Sequence, residues 1–267
     1  MSPTNTNLAI QFIPVALAEI EPALQQHMST LASPIDSFLE DHIVAANHYQ
    51  IRQGEQMIGW TAIYQQSLIT QFALLPAYRQ WGQPVFAQVR KLETVQAAFV
   101  PTCDEFFLAH ALDDYRQLEK QAYFFQHDAQ VPPDQARLPF YHRQANAADI
   151  VTIQRLAGDF FDKLEQRVAE GQITITQRGE PASDEPIGFG IIDKGRLCLG
   201  VASCGMFVVA AARRQGVGAA IIADLIGRCA ELGLCPVAGC WYYNHNSKKT
   251  LEKAGMYTQT RLLKISY

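Results

Sequence analysis

The most chemically suggestive stretch of the chain is AARRQGVGAAI, residues 211–221. Arg213 and Arg214 are followed by Gln215, Gly216, Val217 and Gly218, and then by Ala219 and further apolar helix formers. Ile221, Ile222, Leu225, Ile226 and Cys229 recur at helical spacing, which predicts an amphipathic helix from about Gly218 to Leu232. GMFVVA, just before, reads as a buried strand, so the stretch is a strand-to-helix turn. The first turn of a helix leaves backbone N–H groups without internal acceptors, and the helix dipole adds partial positive charge there. Glycines at 216 and 218 let an anion approach that backbone, and two arginines add charge. Such a turn suits a pyrophosphate; the plainer alternative is a solvated turn. A P-loop is excluded, because GxxxxGK followed by Ser or Thr does not occur. A dinucleotide fingerprint fits poorly, because the Gly-x-Gly runs into alanines.

The elements that must position this turn repeat along the chain. In the first half a strand-like start, IQFIPVA, leads to helical EIEPALQQHM and SFLEDHIVAAN, then to strands HYQIRQ, MIGWTAIYQ and LITQFALL. In the second half FYHRQAN leads to one helical stretch, ADIVTIQRLAGDFFDKLEQRVAEG, then to QITITQRG, IGFGIID and CGMFVVA. FALLPAYRQWGQP lies over MFVVAAARRQGVG at an offset of 134, with Arg79 on Arg213 and Gly82 on Gly216. LEKQAYF (118–124) lies over LEKAGMY (251–257) at an offset of 133. Two blocks at nearly one offset indicate an internal duplication. HDAQVPPDQARLP, residues 127–139, carries three prolines and no apolar period, and reads as a linker with its boundary near Gln135.

Bulk composition narrows the class. Two ordinary domains fit 267 residues, and 48% apolar residues fill real cores. A net charge of -4 gives no global basic field and argues against a nucleic-acid partner. Apolar runs such as 197–212 fall short of a membrane span, and MSPTNTNLAI lacks the pattern of a secretory signal, so a cytoplasmic protein is expected. The six cysteines form no CxxC pair and read as free thiols; His245 alone is near them, so no metal site is expected.

A second block sharpens the reading of the turn. NHNSKKTLEKAGM, 244–256, follows a strand-like PVAGCWYY. Arg213-x-x-Gly216-x-Gly218, followed by Asn244, Ser247, Lys253 and Gly255, resembles the acyl-CoA loop and the following Asn-x-x-Ala/Ser block of the GNAT N-acetyltransferase superfamily. The resemblance covers roughly residues 138–267. It implies an α/β fold of two tandem GNAT-like lobes, each a mixed sheet flanked by helices: a degenerate lobe at 1–134 and an acyl-CoA-binding lobe at 135–267. It further implies that the fourth and fifth strands splay and that acetyl-CoA enters the gap as co-substrate. The cofactor contacts would come from Met206, Val208, Arg213, Arg214, Gln215, Gly216, Val217, Gly218, Ala219, Asn244 and Ser247. The backbone of Met206 and Val208 would pair with the pantetheine arm.

The same resemblance implies N-acetyl transfer to a primary amine by direct attack in a ternary complex; a small-molecule amine is expected, in a monomer or homodimer, with no nucleic-acid or membrane partner expected from the charge and hydropathy. The family's usual proton donor, a tyrosine seven residues after the asparagine, is here Leu251. Tyr243 or Tyr242 is the expected replacement, with His245 as a further candidate. Glu185 or Asp193 is available to deprotonate the amine, and Cys240 to act as an acyl-accepting nucleophile. A silent acyl-CoA-binding protein and an acyltransferase with a non-amine acceptor are the rival readings. In the first half the loop is Arg79-x-x-Gly82-x-Pro84, and proline there has no N–H to donate. Cofactor binding is therefore expected in the second lobe alone, with Asp104 and Glu105 of the first lobe as candidates to attract a cationic amine.

Overall fold

The computed structural model describes residues 9–128, 140–179 and 185–267. The chain forms two compact units: residues 1–121 with 260–267, and residues 122–259. The expected boundary at 134/135 lies outside the described residues. What the sequence reading did not anticipate is the return of the last eight residues to the first unit.

The first unit is built on β1 (Ile10–Val15), α1 (Leu17–Thr30), α2 (Ser37–Val44), β2 (Asn47–Gln53), β3 (Gln56–Tyr64), β4 (Leu68–Leu74), α3 (Gly82–Val89), β5 (Ala97–Pro101) and α4 (Glu105–Ala111). A 3-10 turn, Pro76–Trp81, joins β4 to α3. Strands β1 to β4 are antiparallel neighbours, and β4 and β5 run parallel. The sheet is completed by the end of the chain's final strand, in which Leu262 to Ser266 pair antiparallel with Pro101 to Ala97. Ile51, Phe72, Phe86, Phe107, Leu263 and Ile265 are among the side chains of one buried cluster, so that returning strand supplies core as well as ladder bonds.

The second unit repeats the plan. It opens on the end of β6 (Gln117–His127) and continues through β7 (Phe140–Gln144), α5 (Ile150–Ala157), α6 (Leu164–Ala169), β8 (Ile173–Arg178), β9 (Gly188–Lys194), β10 (Val201–Val208), α7 (Val217–Glu231), β11 (Cys235–Trp241), α8 (His245–Lys253) and the start of β12 (Met256–Ser266). Its strands are ordered β6-β11-β10-β9-β8-β7. The single helical stretch expected over residues 148–171 is interrupted. A 3-10 turn at Gly158–Phe160 and a left-handed Lys163 separate α5 from α6.

α7 buries Val217, Ile221, Ile222, Leu225, Ile226 and Cys229, which form one stripe against the sheet. Each such side chain contributes about 1.5–3 kcal/mol on burial, which fixes the helix and its first turn. The six cysteines are free thiols. Among the described residues no helix is long and apolar enough to cross a membrane.

The duplication holds for the first matched block: in each unit the fourth strand leads through a 3-10 turn into a helix. It fails for the second. Leu118 lies on β6, an exposed strand position, whereas Leu251 is buried on α8. Leu-Glu-Lys suits a helix and an exposed strand alike, so that match is coincidence. The true counterpart of α8 is α4, and its cap Asp104 corresponds to Asn244 at an offset of 140.

Candidate functional site

In the second unit β10 and β11 are paired only from Val201/Cys235 to Ser203/Val237. Beyond that point β10 stays with β9, up to Val208 opposite Gly188, while β11 pairs with β6. The two parallel strands thus part, and the β11-facing edge of β10 from Cys204 to Val208 has no ladder partner among the described strands. An unpaired strand edge is a template for an extended ligand with amide groups.

An open cleft of about 810 Å³ lies at this parting. Met206, Phe207 and Val208 of β10 line it, with the turn into α7 on one side and α8 on the other. Gly216 caps α7 with φ +84°, a backbone region in which a side chain is strained. Its carbonyl accepts the first helical bond from the Ala220 N–H, and no side chain caps this end. The N–H groups of Val217, Gly218 and Ala219 therefore have no acceptor within the helix. Gly218 is set by space: a Cβ there would lie 3.0 Å from Met206 Sδ and 3.0 Å from Thr250 Cγ2. The missing Cβ lets α8 and β10 close on the first turn of α7. Arg213 Nε donates to the Val208 carbonyl at 3.2 Å, which ties the loop to the end of β10.

α8 begins on Asn244, whose Oδ1 accepts from the Ser247 N–H at 3.1 Å. Capping uses the asparagine oxygen, and Asn244 itself lines the cleft. Ten of the eleven expected cofactor-contacting residues line the cleft: Met206, Val208, Arg213, Arg214, Gly216, Val217, Gly218, Ala219, Asn244 and Ser247. The exception is Gln215. Its Nε2 donates to the Ala211 carbonyl and its Oε1 accepts from Arg178, so the side chain serves the loop itself. Sequence reasoning missed the contribution of Asn246, Lys249, Thr250 and Lys253 to the lining. Their spacing of three, four and seven is one face of a helix, a signal present in the sequence. Phe160, from the 3-10 turn after α5, closes one rim and packs on Phe207 with ring centroids 5.2 Å apart.

The expected acid–base residues are placed elsewhere. Tyr242 stacks on Tyr123 with centroids 4.6 Å apart and belongs to the packed core. Tyr243 is 56% exposed, next to the Asn244 cap, and is not a lining residue. Leu251 is buried on the inner face of α8. Cys240 is buried in the same core. Glu185 pairs with Arg155, and Asp193 lies 3.3 Å from Arg167.

The equivalent region of the first unit has the same geometry but different contents. β4 and β5 pair only at Leu68/Ala97 and Ile69/Ala98. Asp104 Oδ1 accepts from the Phe107 N–H at 3.1 Å, the same cap as Asn244 makes. Asp104 is buried and not solvated: its Oδ2 accepts from His27 Nε2 at 2.9 Å. It is therefore not free to attract an amine, which corrects the expectation for Asp104, whereas Glu105 is exposed. Beside the loop, His110 occupies the space next to Gly82, where a Cβ would lie 2.0 Å from its Nε2. Phe72 and Phe106 stack at 5.6 Å, and the Arg79 guanidinium lies over Phe106 at 5.7 Å. Aromatic rings fill the place that the cleft occupies in the second unit.

Two strand-parted units with a glycine-opened helix beside the parting match known structures. A solved GNAT-family acetyltransferase from Colwellia psychrerythraea superposes with a TM-score of 0.82 at 16% identity, over 97% of this chain and 99% of that one. The chain carries the GNAT acetyltransferase fold. A tandem GNAT protein from the clavulanic acid biosynthesis pathway superposes with a TM-score of 0.60 at 15% identity, over 97% of this chain and 98% of that one. A GCN5-related N-acetyltransferase from Sphaerobacter thermophilus gives 0.62 at 11% identity, over 96% and 95%. The family model described as an acetyltransferase (GNAT) domain matches residues 16–128, all but the last few of them in the first unit rather than in the one that bears the open cleft. Sequence comparison finds no match among curated proteins.

Proposed function

We propose that this GNAT-fold chain transfers an acetyl group from acetyl-CoA to a primary amine, and that the second unit holds the acyl-CoA. The observation that carries the reading is the open end of α7: three N–H groups without helical acceptors, a glycine that admits close approach, and Arg213 and Arg214 on the same cleft. A pyrophosphate sits on those donors. The pantetheine arm runs along the unpaired edge of β10, with its amides bonded to the backbone near Met206 and Val208. The thioester then lies where β10 and β11 part.

The chemistry asks little beyond placement. The neutral amine attacks the thioester carbon, a C–N bond forms, and the C–S bond breaks. A backbone N–H of the β10 edge stabilises the oxyanion of the tetrahedral intermediate. The amine gives up its proton to solvent, and the departing thiolate takes one by way of solvent from Tyr243, which is exposed beside the Asn244 cap and outside the cleft lining. The burial of Cys240 in the core supports direct transfer over an acyl-enzyme on that thiol. In the first unit, Pro84 in the first turn of α3 and the Phe106 and His110 rings beside the loop support the view that no acyl-CoA binds there.

A second reading has its own observation. Leu251 fills the position of the family's usual tyrosine with core, which favours a protein that binds acyl-CoA without turning it over. Incubation with acetyl-CoA and a panel of primary amines, with free thiol as readout, separates the two. Amine-dependent thiol release supports the transferase; tight binding with no release from any amine supports the silent binder.

A further inference from the structure

The cleft carries more positive charge than a pyrophosphate turn requires. Lys249 and Lys253 line it from α8, in addition to Arg213 and Arg214 of the turn into α7. Among the described residues none of the lining side chains is acidic. Lys248, one position away, is different: it pairs with Glu252 and lies over the Tyr123 ring at 5.6 Å. Lys249 and Lys253 have no carboxylate partner among the described residues. They stand four residues apart on one helical face, an arrangement in which like charges destabilise a helix by a few tenths of a kcal/mol. A helix that keeps such a pair beside an open cleft is arranged to meet an anion.

Position narrows which anion. Thr250, between the two lysines, is the residue whose Cγ2 abuts Gly218 in the first turn of α7. The lysines flank that contact, within about one helical turn of it, at 1.5 Å of rise per residue. They therefore lie beside the pyrophosphate cradle, not on it. The duplicated helix of the first unit serves as an internal control. With the two caps aligned, Asn246, Lys249, Thr250 and Lys253 correspond to Phe106, Ala109, His110 and Asp113. Where the cleft is filled by rings, both lysines are gone and one position is acidic.

We infer that Lys249 and Lys253 form a second anion subsite, which holds the 3′-phosphate of the nucleotide and makes the site selective for CoA over 3′-dephospho-CoA. The inference rests on the proposed acyl-CoA reading and adds to it a discrimination between two ligands that share the pyrophosphate, the pantetheine arm and the thiol. The ribose carries the 3′-phosphate next to the 5′ diphosphate, so one group on the α7 turn brings the other to α8.

Titration calorimetry with CoA and with 3′-dephospho-CoA tests this on the full chain, on the Lys249→Ala/Lys253→Ala double variant, and on Lys248→Ala as a control that removes a lysine of the same helix outside the cleft lining. The wild type is expected to bind CoA about 10- to 100-fold more tightly, the range for charge-assisted contacts. The double variant is expected to lose that preference by weaker CoA binding alone, with dephospho-CoA affinity unchanged as evidence of an intact fold. Lys248→Ala is expected to keep the preference. Equal wild-type affinity for the two ligands overturns the subsite and leaves the acyl-CoA reading standing. A preference that survives in the double variant also overturns it, since the phosphate is then held elsewhere. Failure of both ligands to bind the wild type overturns the acyl-CoA reading itself.

Discussion

Replacing Gly218 by proline copies into the second unit the residue that the first unit has at Pro84. Gly218 is the second residue of α7, inside the first turn, where proline is tolerated because the N–H it lacks has no helical acceptor. The fold should therefore persist. What is lost is one donor to the pyrophosphate. A hydrogen bond to a charged acceptor is worth about 1.5–3 kcal/mol, or about 10- to 150-fold in Kd. Proline also adds a Cβ, 3.0 Å from Met206 Sδ and Thr250 Cγ2. Gly218→Ala adds that same atom and keeps the N–H, so the ratio between the two variants isolates the donor. Calorimetric titration with acetyl-CoA, with thermal melts as a check on folding, should give Gly218→Pro a Kd at least about tenfold weaker than Gly218→Ala. Equal affinity of the two folded variants would refute the claim that this N–H meets the ligand.

Other expectations follow from the same structure. Tyr243→Phe should lower kcat by about 100-fold, the low end for general acid catalysis, with acetyl-CoA affinity unchanged, whereas Tyr242→Phe should keep its kcat; an unaffected Tyr243→Phe would assign thiolate protonation to solvent. Cys240→Ser should retain transfer with intersecting double-reciprocal plots, and parallel plots in the wild type would point to an acyl-enzyme. Leu251→Ala should cost about 2–5 kcal/mol in chemical denaturation, as for other buried leucines. Asp36 caps α2 from a buried site, and burial pushes its carboxyl up to about 7. Between the ordinary carboxylate range and that value the folded chain holds a proton that the unfolded chain has released, so its contribution makes stability fall as pH rises from about 4 to 7. Asp36→Asn keeps a capping oxygen and should flatten that slope relative to wild type; identical slopes would show that Asp36 does not titrate this way.

Much of the site was legible because its signals are local. Arg213 to Gly218 can be read as a strand-to-helix turn from the glycines and the Ile221, Leu225 and Cys229 stripe alone, and the Asn244 cap from the three residues that follow it. The exchange of final strands was not legible. Leu262 to Ser266 would look the same beside either unit, since ladder pairing is between distant residues and an apolar alternation does not name its partner. The Asp104 and Asn244 correspondence was hidden by a change of register. The loops align at an offset of 134 and the caps at 140, so comparison at a fixed offset passes over the pair and finds the chance match at Leu118. The filling of the first cleft by Phe106 and His110 is a packing fact, visible only when α4 is laid against α3. The family model's match to residues 16–128 makes that contrast important, because that match lies almost wholly in the first unit and the open cleft in the second.

The stoichiometry and location of acetyl-CoA binding test the account most directly. Calorimetry on the full chain should give one acetyl-CoA per chain, and binding should be lost when Gly216→Asp places a carboxylate on the cradle together with Arg213→Ala. Two equivalents per chain, or one that survives this double substitution in a folded protein, would contradict the assignment of the cofactor to the second unit.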